Sequence, residues 1–253
     1  MPRFFLPVEK CQGQTLVLED QEAHHAIHVL RIGPGDAAEV LDGCGGINHC
    51  KVVDVTRNSV TLQVIDQHKQ PPPPCRVTLA QCLPKTKAMD WLLQKATELG
   101  ASRIVPLFSD HSEIHLDSAT AQAKARKWNA ASIETLKQCG TPWLPVVECP
   151  LPLEEFLKYG GQPELNIVAS LQKEAPTLIE TLRGAHSDNR PFPRSVCVWI
   201  GPEGDFSPRE MDILLKAGTL PVSLGERVLR AETAALYCLS AVHYESQAAT
   251  ARW

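Results

Sequence analysis

Short segments rich in apolar residues fill the first part of the chain. They are rich in β-branched side chains and are separated by turn signals, such as the Gly-Pro-Gly-Asp run at residues 33–36. Apolar, β-branched segments between turns are typical of short strands, so the pattern predicts a small β-barrel with one helical segment around residues 23–30. The predicted strands lie in the segments RFFL, TLVL, AAEVLD, CKVVDV and SVTLQVI.

The pattern changes after residue 75, where continuous apolar segments alternate with helical ones. Met89, Leu92, Leu93 and Ala96 keep helical spacing until Gly100, a typical residue just past a helix end. Alternating strands and helices indicate a parallel sheet with helices on both faces. The predicted strands lie in the segments RVTLAQC, RIVPLF, LNIVAS, VCVWI and LPVSL.

Four consecutive prolines at residues 71–74 separate these two patterns. Prolines cannot donate backbone hydrogen bonds and favour a stiff, extended link. We therefore predict a first domain over residues 1–69 and an α/β domain over residues 75–253.

The last predicted helix, from Glu232 to about Gln247, is apolar over more than half of its circumference. Such a helix needs two partners. The pattern leaves two interpretations open, a helix between its own sheet and a second subunit or a helix buried within one chain.

Composition narrows the class of protein. The 253 residues are 43% hydrophobic, and no apolar run suggests a signal peptide or a membrane span, so we expect a soluble protein. The nine cysteines form no CxxC pair and are typical of reduced thiols in the cytoplasm. The formal net charge of −4 predicts no global attraction to nucleic acid, so any RNA must be bound by local patches.

A glycine-rich loop at residues 201–206 follows an apolar strand, where open α/β sheets commonly hold ligands. It matches neither GxGxxG nor GxxxxGK[ST], and Glu203 and Asp205 would repel a phosphate. The two carboxylates favour a cationic ligand instead. We expect Gly201 and Glu203 to contact that ligand.

The residues after this loop predict a helix start. Ser207 stands at the cap, Pro208 at the first helical position and Glu210 at the third, which is a capping box. A second loop begins at Ser223 and leads into the last helix, for which Thr233 or Glu232 is the predicted cap. Its charges are consistent with either a solvated turn or a functional site.

Together these segments resemble a known family. IGPEGDFSPRE followed by VSLGERVLRAETAAL is similar to the C-terminal signature of the bacterial 16S ribosomal RNA uridine-N3 methyltransferases of the SPOUT superfamily, the RsmE family. MPRFFLP, AHHAIHVLRIGPGD and LPKTKAMDWLLQKATELGASRIVPLFSD extend the resemblance over nearly the whole chain.

The resemblance implies a PUA-like β-barrel that helps to hold RNA, followed by a SPOUT-type α/β domain with a trefoil knot. It also implies a cytoplasmic homodimer, S-adenosyl-L-methionine as cofactor, and 16S ribosomal RNA of the small subunit as substrate. No metal or membrane is implied. The implied cofactor-binding residues are Leu171, Gly201, Pro202, Glu203, Gly204, Leu224, Gly225, Val228 and Leu229.

Catalytic and RNA-binding residues also follow from the resemblance. The resemblance implies that Arg230 binds either the charge that develops on the base or an adjacent phosphate. It implies that Glu232 either accepts the proton or orients Arg230. The implied RNA-binding residues are Arg3, Arg31, Lys85 and Lys87, although a solvated surface also explains the two lysines. His24, His25 and His28 have helical spacing but no fourth ligand nearby in sequence, so we expect no metal there.

The chain departs from the family pattern at several positions. Lys137 and Thr141 stand where the family often has Glu and Arg, Ala231 where threonine is common, and Asp205 where glycine is common. Two alternatives to the leading function therefore remain: a SPOUT methyltransferase with another RNA target, and a non-catalytic RNA-binding ribosome assembly factor. A phosphate-binding glycine loop ranks last because of its acids.

Overall fold

A computed structural model describes residues 1–84, 88–111, 116–172, 174–186 and 191–250. The chain divides into two compact units. Residues 1–72 and 133–144 form the first unit, and residues 73–132 and 145–253 form the second. Each unit has its own sheet.

The first unit contains five strands and short helices. They are β1 (Arg3–Phe5), a 3-10 turn (Val8–Lys10), β2 (Thr15–Leu18), α1 (Asp20–His24) continuing as a π-helix (His25–Leu30), β3 (Ala37–Leu41), β4 (Gly46–Val55) and β5 (Val60–Lys69). The strand order is β1-β3-β4-β5-β2, with β1 and β3 parallel and the other pairs antiparallel. The predicted barrel is thus an open half-barrel whose edges are β1 and β2.

Alternation along the strands explains the core of this unit. In β2, Leu16 and Leu18 point inward while Thr15 and Val17 are exposed, as a period of two requires. Ala23 and Ala26 of the helical segment pack into the same core. The predicted helix around residues 23–30 is therefore confirmed.

The second unit alternates strands and helices. Its elements are β6 (Arg76–Cys82), α2 (Ala88–Glu98), β7 (Ala101–Phe108), α3 (Ser118–Cys139), β8 (Val146–Val147), β9 (Leu151–Pro152), α4 (Leu153–Tyr159), β10 (Leu165–Ala169), α5 (Leu178–Gly184), β11 (Ser195–Ile200), α6 (Pro208–Lys216), β12 (Leu220–Val222) and α7 (Ala231–Thr250). The last turns of α3, from residue 133, belong to the first unit.

The sheet of the second unit is parallel, with the order β12-β10-β11-β6-β7-β8, and β9 pairs with β7. Both faces are covered. Val198 and Ile200 of β11 face the core formed with α2, α5 and α7, while Cys197 and Trp199 face α4 and α6. This explains why β11 reads as a continuous apolar run, and it confirms the predicted parallel sheet.

Helix ends follow the sequence signals at α2 and α6 but not at α7. Gly100 follows α2 with φ +77, a left-handed conformation that glycine adopts without strain. The capping box of Ser207 and Glu210 is present at α6 and is confirmed. Because α7 begins at Ala231, both Glu232 and Thr233 lie inside the helix, so the predicted cap by either residue was wrong.

None of the described helices is long and apolar enough to cross a membrane.

Candidate cofactor pocket

A pocket of ≈ 610 Å³ lies at the carboxyl ends of β10, β11 and β12. Three loops line it. We call them the β10 loop (residues 170–172 and 174–177), the β11 loop (residues 201–207) and the β12 loop (residues 223–230). This is the edge of an open α/β sheet at which ligands are expected, and the volume lies within the range of small-molecule sites.

The β11 loop folds back on itself directly after the strand. The backbone N–H of Asp205 donates to the carbonyl of Pro202 at 3.0 Å, which closes a turn. A Cβ at Gly201 would lie 3.0 Å from the backbone nitrogen of Phe206 and 3.2 Å from the carbonyl carbon of Asp205. The loop is therefore closely packed around Gly201, and a side chain there would have to displace its neighbours.

Gly204 has a different environment. A Cβ there would meet only Nδ1 of His111, at an ordinary distance of 3.8 Å. Unlike Gly201, Gly204 is also absent from the residues that line the pocket. Of these two glycines, only Gly201 is closely packed.

Asp205 connects the β11 loop with the β10 loop. It adopts a left-handed backbone with φ +65, and its Oδ2 accepts a hydrogen bond from the backbone N–H of Leu171 at 3.1 Å. Its Oδ1 accepts from the N–H of Phe206 at 2.8 Å. Both carboxylate oxygens are thus engaged by backbone groups.

Backbone hydrogen bonds join the β10 and β12 loops. The N–H of Ser223 donates to the carbonyl of Pro176 at 2.8 Å, and the N–H of Leu178 donates to the carbonyl of Ser223 at 3.0 Å. Gly225 has φ +109, a conformation that favours glycine, and its N–H donates to Oγ of Ser223 at 3.3 Å. These contacts fix the base of the β12 loop.

An ion-pair network lies at the start of α6, directly after the β11 loop. Glu210 is 1% exposed, and its Oε1 accepts from the N–H of Asp110 at 2.9 Å. Arg209 pairs with Asp110 and with Glu154. Hydrogen bonds from the Arg209 guanidinium, and from Ser207 in the case of Asp110, hold the pKa of both acids below their ordinary values.

The structure brings the predicted cofactor residues together. All of them except Gly204 line the pocket: Leu171, Gly201, Pro202, Glu203, Leu224, Gly225, Val228 and Leu229. Asp205, whose carboxylate was predicted to favour a cationic ligand, also lines the pocket. The sequence interpretation missed other lining residues, namely Ala169, Ser170, Gln172, Ala175, Thr177, Ile200, Ser223, Glu226, Arg227, Ala231 and Ala234. The β10 loop directly follows a predicted parallel strand, and this position was the signal that could have identified its residues as part of the pocket.

Arg230 and Glu232 lie at the start of α7, next to the pocket lining but not in it. Arg230 is exposed and Glu232 is half-buried, whereas Ala231 and Ala234 line the pocket. Neither charged side chain forms an ion pair with another described residue. Among the described residues, neither charge is therefore neutralised by an ion pair.

The predicted RNA-binding residues have different environments. Nε of Arg3 donates to Glu39 at 2.8 Å, and its Nη1 donates to the carbonyls of Lys137 and Gln138 at 3.3 and 3.2 Å, so Arg3 also stabilises the end of α3. Arg31 is exposed at the end of the π-helix. Lys85 and Lys87 lie outside the described residues.

The histidines of the first unit pack against their neighbours. The rings of His24 and His28 lie 4.8 Å apart, and His25 packs edge-on against Phe4. Within the described part of the chain, His, Cys, Asp and Glu side chains form no group of three or more suited to a metal ion.

The fold and the pocket define a class of protein: an α/β domain with a ligand-sized pocket at the carboxyl edge of its parallel sheet, in a chain that also carries an open half-barrel. Comparison with known proteins identifies this class. Residues 71–243 match the family model of the RNA methyltransferase domain, and residues 18–65 match that of the RNA methyltransferase PUA domain.

Individual relatives agree with these family models. The ribosomal RNA small subunit methyltransferase E of a Synechocystis species is 30% identical and covers 95% of this chain and 77% of its own length. The Bacillus subtilis protein of that name is 28% identical over 98% of both chains. A crystal structure of the Neisseria gonorrhoeae protein of that name, bound to S-adenosyl methionine, has a TM-score of 0.80 and 27% identity, and covers 95% of this chain and 96% of its own.

The chain belongs to the RNA methyltransferase family that includes these ribosomal RNA small subunit methyltransferases E. The resemblance derived from the sequence motifs is thereby confirmed. The half-barrel corresponds to the PUA domain of the family, and the strand order of the second unit fits the implied SPOUT fold and its knot.

Proposed function

We propose that this protein is an enzyme that uses S-adenosyl-L-methionine to methylate N3 of a uridine in 16S ribosomal RNA of the small subunit. The observation that carries the proposal is the pocket at the ends of β10, β11 and β12, which gathers the residues implied for cofactor binding. The names of the relatives, and the cofactor bound to the Neisseria gonorrhoeae protein, support it.

The chemistry of the pocket fits this cofactor. Leu171, Leu224 and Leu229 supply apolar surface for an adenosine and a methionine chain, while Glu203 and Glu226 supply negative charge. S-adenosyl-L-methionine carries a positive sulfonium and no phosphate, so acids that would repel a nucleotide phosphate attract this ligand. When bound, it supplies an electrophilic methyl group.

The target nitrogen imposes a requirement for a base. N3 of uridine begins as a weakly acidic imide N–H, and it becomes a good nucleophile only as that proton leaves. The bond from N3 to the methyl carbon forms while the bond from sulfur to that carbon breaks, and S-adenosylhomocysteine leaves. We assign the role of proton acceptor to the carboxylate of Glu232, which is half-buried at the start of α7.

Negative charge moves onto the two carbonyl oxygens next to N3 as the proton leaves. A fixed positive group beside those oxygens lowers the barrier. We assign this role, or the binding of an adjacent phosphate, to Arg230, which is exposed and lies between the pocket-lining residues Leu229 and Ala231 in the chain.

We further propose that residues 1–69 form the PUA-like RNA-binding domain and that residues 75–253 form the methyltransferase domain. Arg31 is assigned to phosphate contact because its side chain is exposed and has no ion-pair partner among the described residues. Arg3, Lys85 and Lys87 are assigned to RNA by the family resemblance. From the proposed ribosomal RNA substrate we infer a cytoplasmic location.

A homodimer that packs through α7 completes the proposal. One side of α7 packs on its own sheet through Ala235, Cys238 and Val242. The opposite side exposes Tyr237 and Tyr244, which are 52% and 69% exposed. Two exposed aromatic residues on one stripe of a helix are typical of an interface. The double substitution Tyr237→Glu and Tyr244→Glu should yield a monomer in light scattering after gel filtration.

The central test is a methylation assay. Purified protein is incubated with labelled S-adenosyl-L-methionine and small subunits that lack the modification, and the labelled nucleoside is then mapped. Labelled 3-methyluridine is the expected product. A different methylated nucleoside would favour the alternative of another RNA target, and cofactor binding without any RNA methylation would favour a non-catalytic assembly factor.

A further inference from the structure

Asp205 holds two loops of the pocket together. Its Oδ2 accepts the hydrogen bond from the backbone N–H of Leu171 at 3.1 Å, which crosses from the β10 loop to the β11 loop. Among the described residues, no other hydrogen bond joins these two loops. By contrast, the β10 and β12 loops share backbone bonds through Ser223.

The carboxylate of Asp205 is held in place from several sides. Its own N–H donates to Pro202, its carbonyl lies 3.1 Å from Nδ1 of His111, and its Oδ1 accepts from Phe206. The left-handed backbone at φ +65 is one that aspartate tolerates better than most residues with a side chain. The direction in which Oδ2 points is therefore set by the turn.

Leu171 has no comparable support of its own. Its side chain lines the pocket but is 55% exposed, so core packing does not fix it. We propose that Asp205 is a positioning residue, whose carboxylate holds the backbone of Leu171 against the cofactor and so closes the pocket between the β10 and β11 loops. This inference rests on the proposed binding of S-adenosyl-L-methionine in this pocket.

A direct electrostatic role for Asp205 predicts a different result. A carboxylate that attracts the sulfonium strengthens binding of the cationic cofactor and not of the neutral product, S-adenosylhomocysteine. Both oxygens of Asp205 already accept backbone hydrogen bonds, whereas Glu203 accepts none from the described residues. Positioning through Leu171 affects the two ligands equally because they share the adenosine and the amino acid part.

The test compares Asp205→Gly and Asp205→Asn with the wild-type protein. Glycine keeps the left-handed backbone without strain but removes both acceptors, and asparagine keeps the backbone and one acceptor. Isothermal titration calorimetry measures the Kd for S-adenosyl-L-methionine and for S-adenosylhomocysteine. We expect Asp205→Gly to raise both values by about 5- to 10-fold and Asp205→Asn to raise them less. The KM for the cofactor should rise while kcat at saturation stays close to the wild-type value.

The matched control is Asp212→Asn, which removes an acid from the exposed surface of α6 and should change neither Kd. Three outcomes would overturn the inference: Asp205→Gly binding both ligands like the wild type, Asp205→Gly losing affinity for the cationic ligand alone, or Asp205→Asn binding as weakly as Asp205→Gly. If the wild-type protein itself binds neither ligand, the proposed function fails as well. Binding by the wild type therefore separates failure of the inference from failure of the function.

Discussion

Nζ of Lys137 lies 2.7 Å from Oε1 of Glu22, and the two side chains are only 6% and 15% exposed. Oε2 of the same carboxylate accepts from the backbone N–H of Phe5 at 3.1 Å, so Glu22 links β1 with the last turns of α3. Burial lowers the pKa of Lys137, but hydrogen bonds to Glu134 and Glu22 outweigh it, and the net pKa is raised. Lys137, which departs from the family pattern, thus forms a largely buried ion pair with Glu22.

Removing this lysine should destabilise the protein. Lys137→Met leaves the carboxylate of Glu22 poorly solvated and without its cation, which should lower the free energy of unfolding by about 2 kcal/mol. Urea unfolding followed by circular dichroism measures the change. The double variant with Glu22→Gln should recover part of the loss, and an unchanged midpoint in Lys137→Met would contradict the prediction.

The two glycines of the β11 loop should respond differently to a methyl group. Gly201→Ala places a Cβ 3.0 Å from the backbone nitrogen of Phe206, so the loop must shift. We expect the affinity for S-adenosyl-L-methionine to fall about 10-fold or more, since overpacking of this kind typically costs 1–3 kcal/mol. Calorimetry measures it.

Gly204→Ala is the matched control for Gly201→Ala. Its Cβ would meet nothing closer than Nδ1 of His111, 3.8 Å away, so binding should stay close to that of the wild type. Equal losses in both variants would mean that flexibility of the loop, and not close packing at Gly201, sets the affinity.

Arg230→Ala and Glu232→Gln should impair chemistry more than cofactor binding. Neither residue lines the pocket, so the Kd for S-adenosyl-L-methionine should remain within about 3-fold of the wild-type value. The methylation rate in a single turnover should fall by roughly 100-fold or more, as is usual when an acid–base or charge-stabilising group is lost. Near wild-type rates in both variants would refute the assignment of these roles.

The ion pairs of Arg209 predict a pH dependence of stability. The folded protein holds the pKa of Asp110 and of Glu154 below their ordinary values of 3.8 and 4.5, so both pairs stabilise it above those values. This contribution disappears as the pH falls through the lowered pKa values. Arg209→Ala should therefore lower Tm slightly at pH 7, and the difference from the wild type should shrink as the pH falls below the ordinary pKa values of the two acids.

Differential scanning fluorimetry from pH 7 to pH 3 measures this convergence. Lys216→Ala serves as the control, because it removes a cation from the same helix without touching Asp110 or Glu154. A Tm difference for Arg209→Ala that stays constant down to pH 3 would show that lost packing, and not the ion pairs, causes it.

Local features of this protein were predictable because they depend on residues that are close in sequence. An apolar segment with β-branched residues predicts β2, the unbroken apolar run predicts β11 as a strand buried on both faces, and the spacing from Ser207 to Glu210 predicts the start of α6. At the start of α7 the same reasoning chose the wrong cap. Thr233 is a preferred capping residue by type, but α7 begins two residues before it, at Ala231.

In the β11 loop, residues of the same type have different environments that the sequence alone does not reveal. Its acids correctly pointed to a pocket residue at Glu203, but they did not distinguish that residue from Asp205, whose carboxylate is engaged by Leu171, 34 residues away. Similarly, the two glycines look alike in the sequence, and only the fold places Phe206 against Gly201.

The sequence by itself determined the positions of most strands and helices, the parallel α/β class and, through its motifs, the methyltransferase family. The tertiary structure alone decided that the ends of β10, β11 and β12 meet at one pocket, that Asp205 joins two of its loops, and that Lys137 finds Glu22 at a separation of 115 residues. The physical reason is that hydrophobic periodicity and helix caps act over a few residues. Contacts between loops depend on the order in which distant strands pair, and no local pattern records that order.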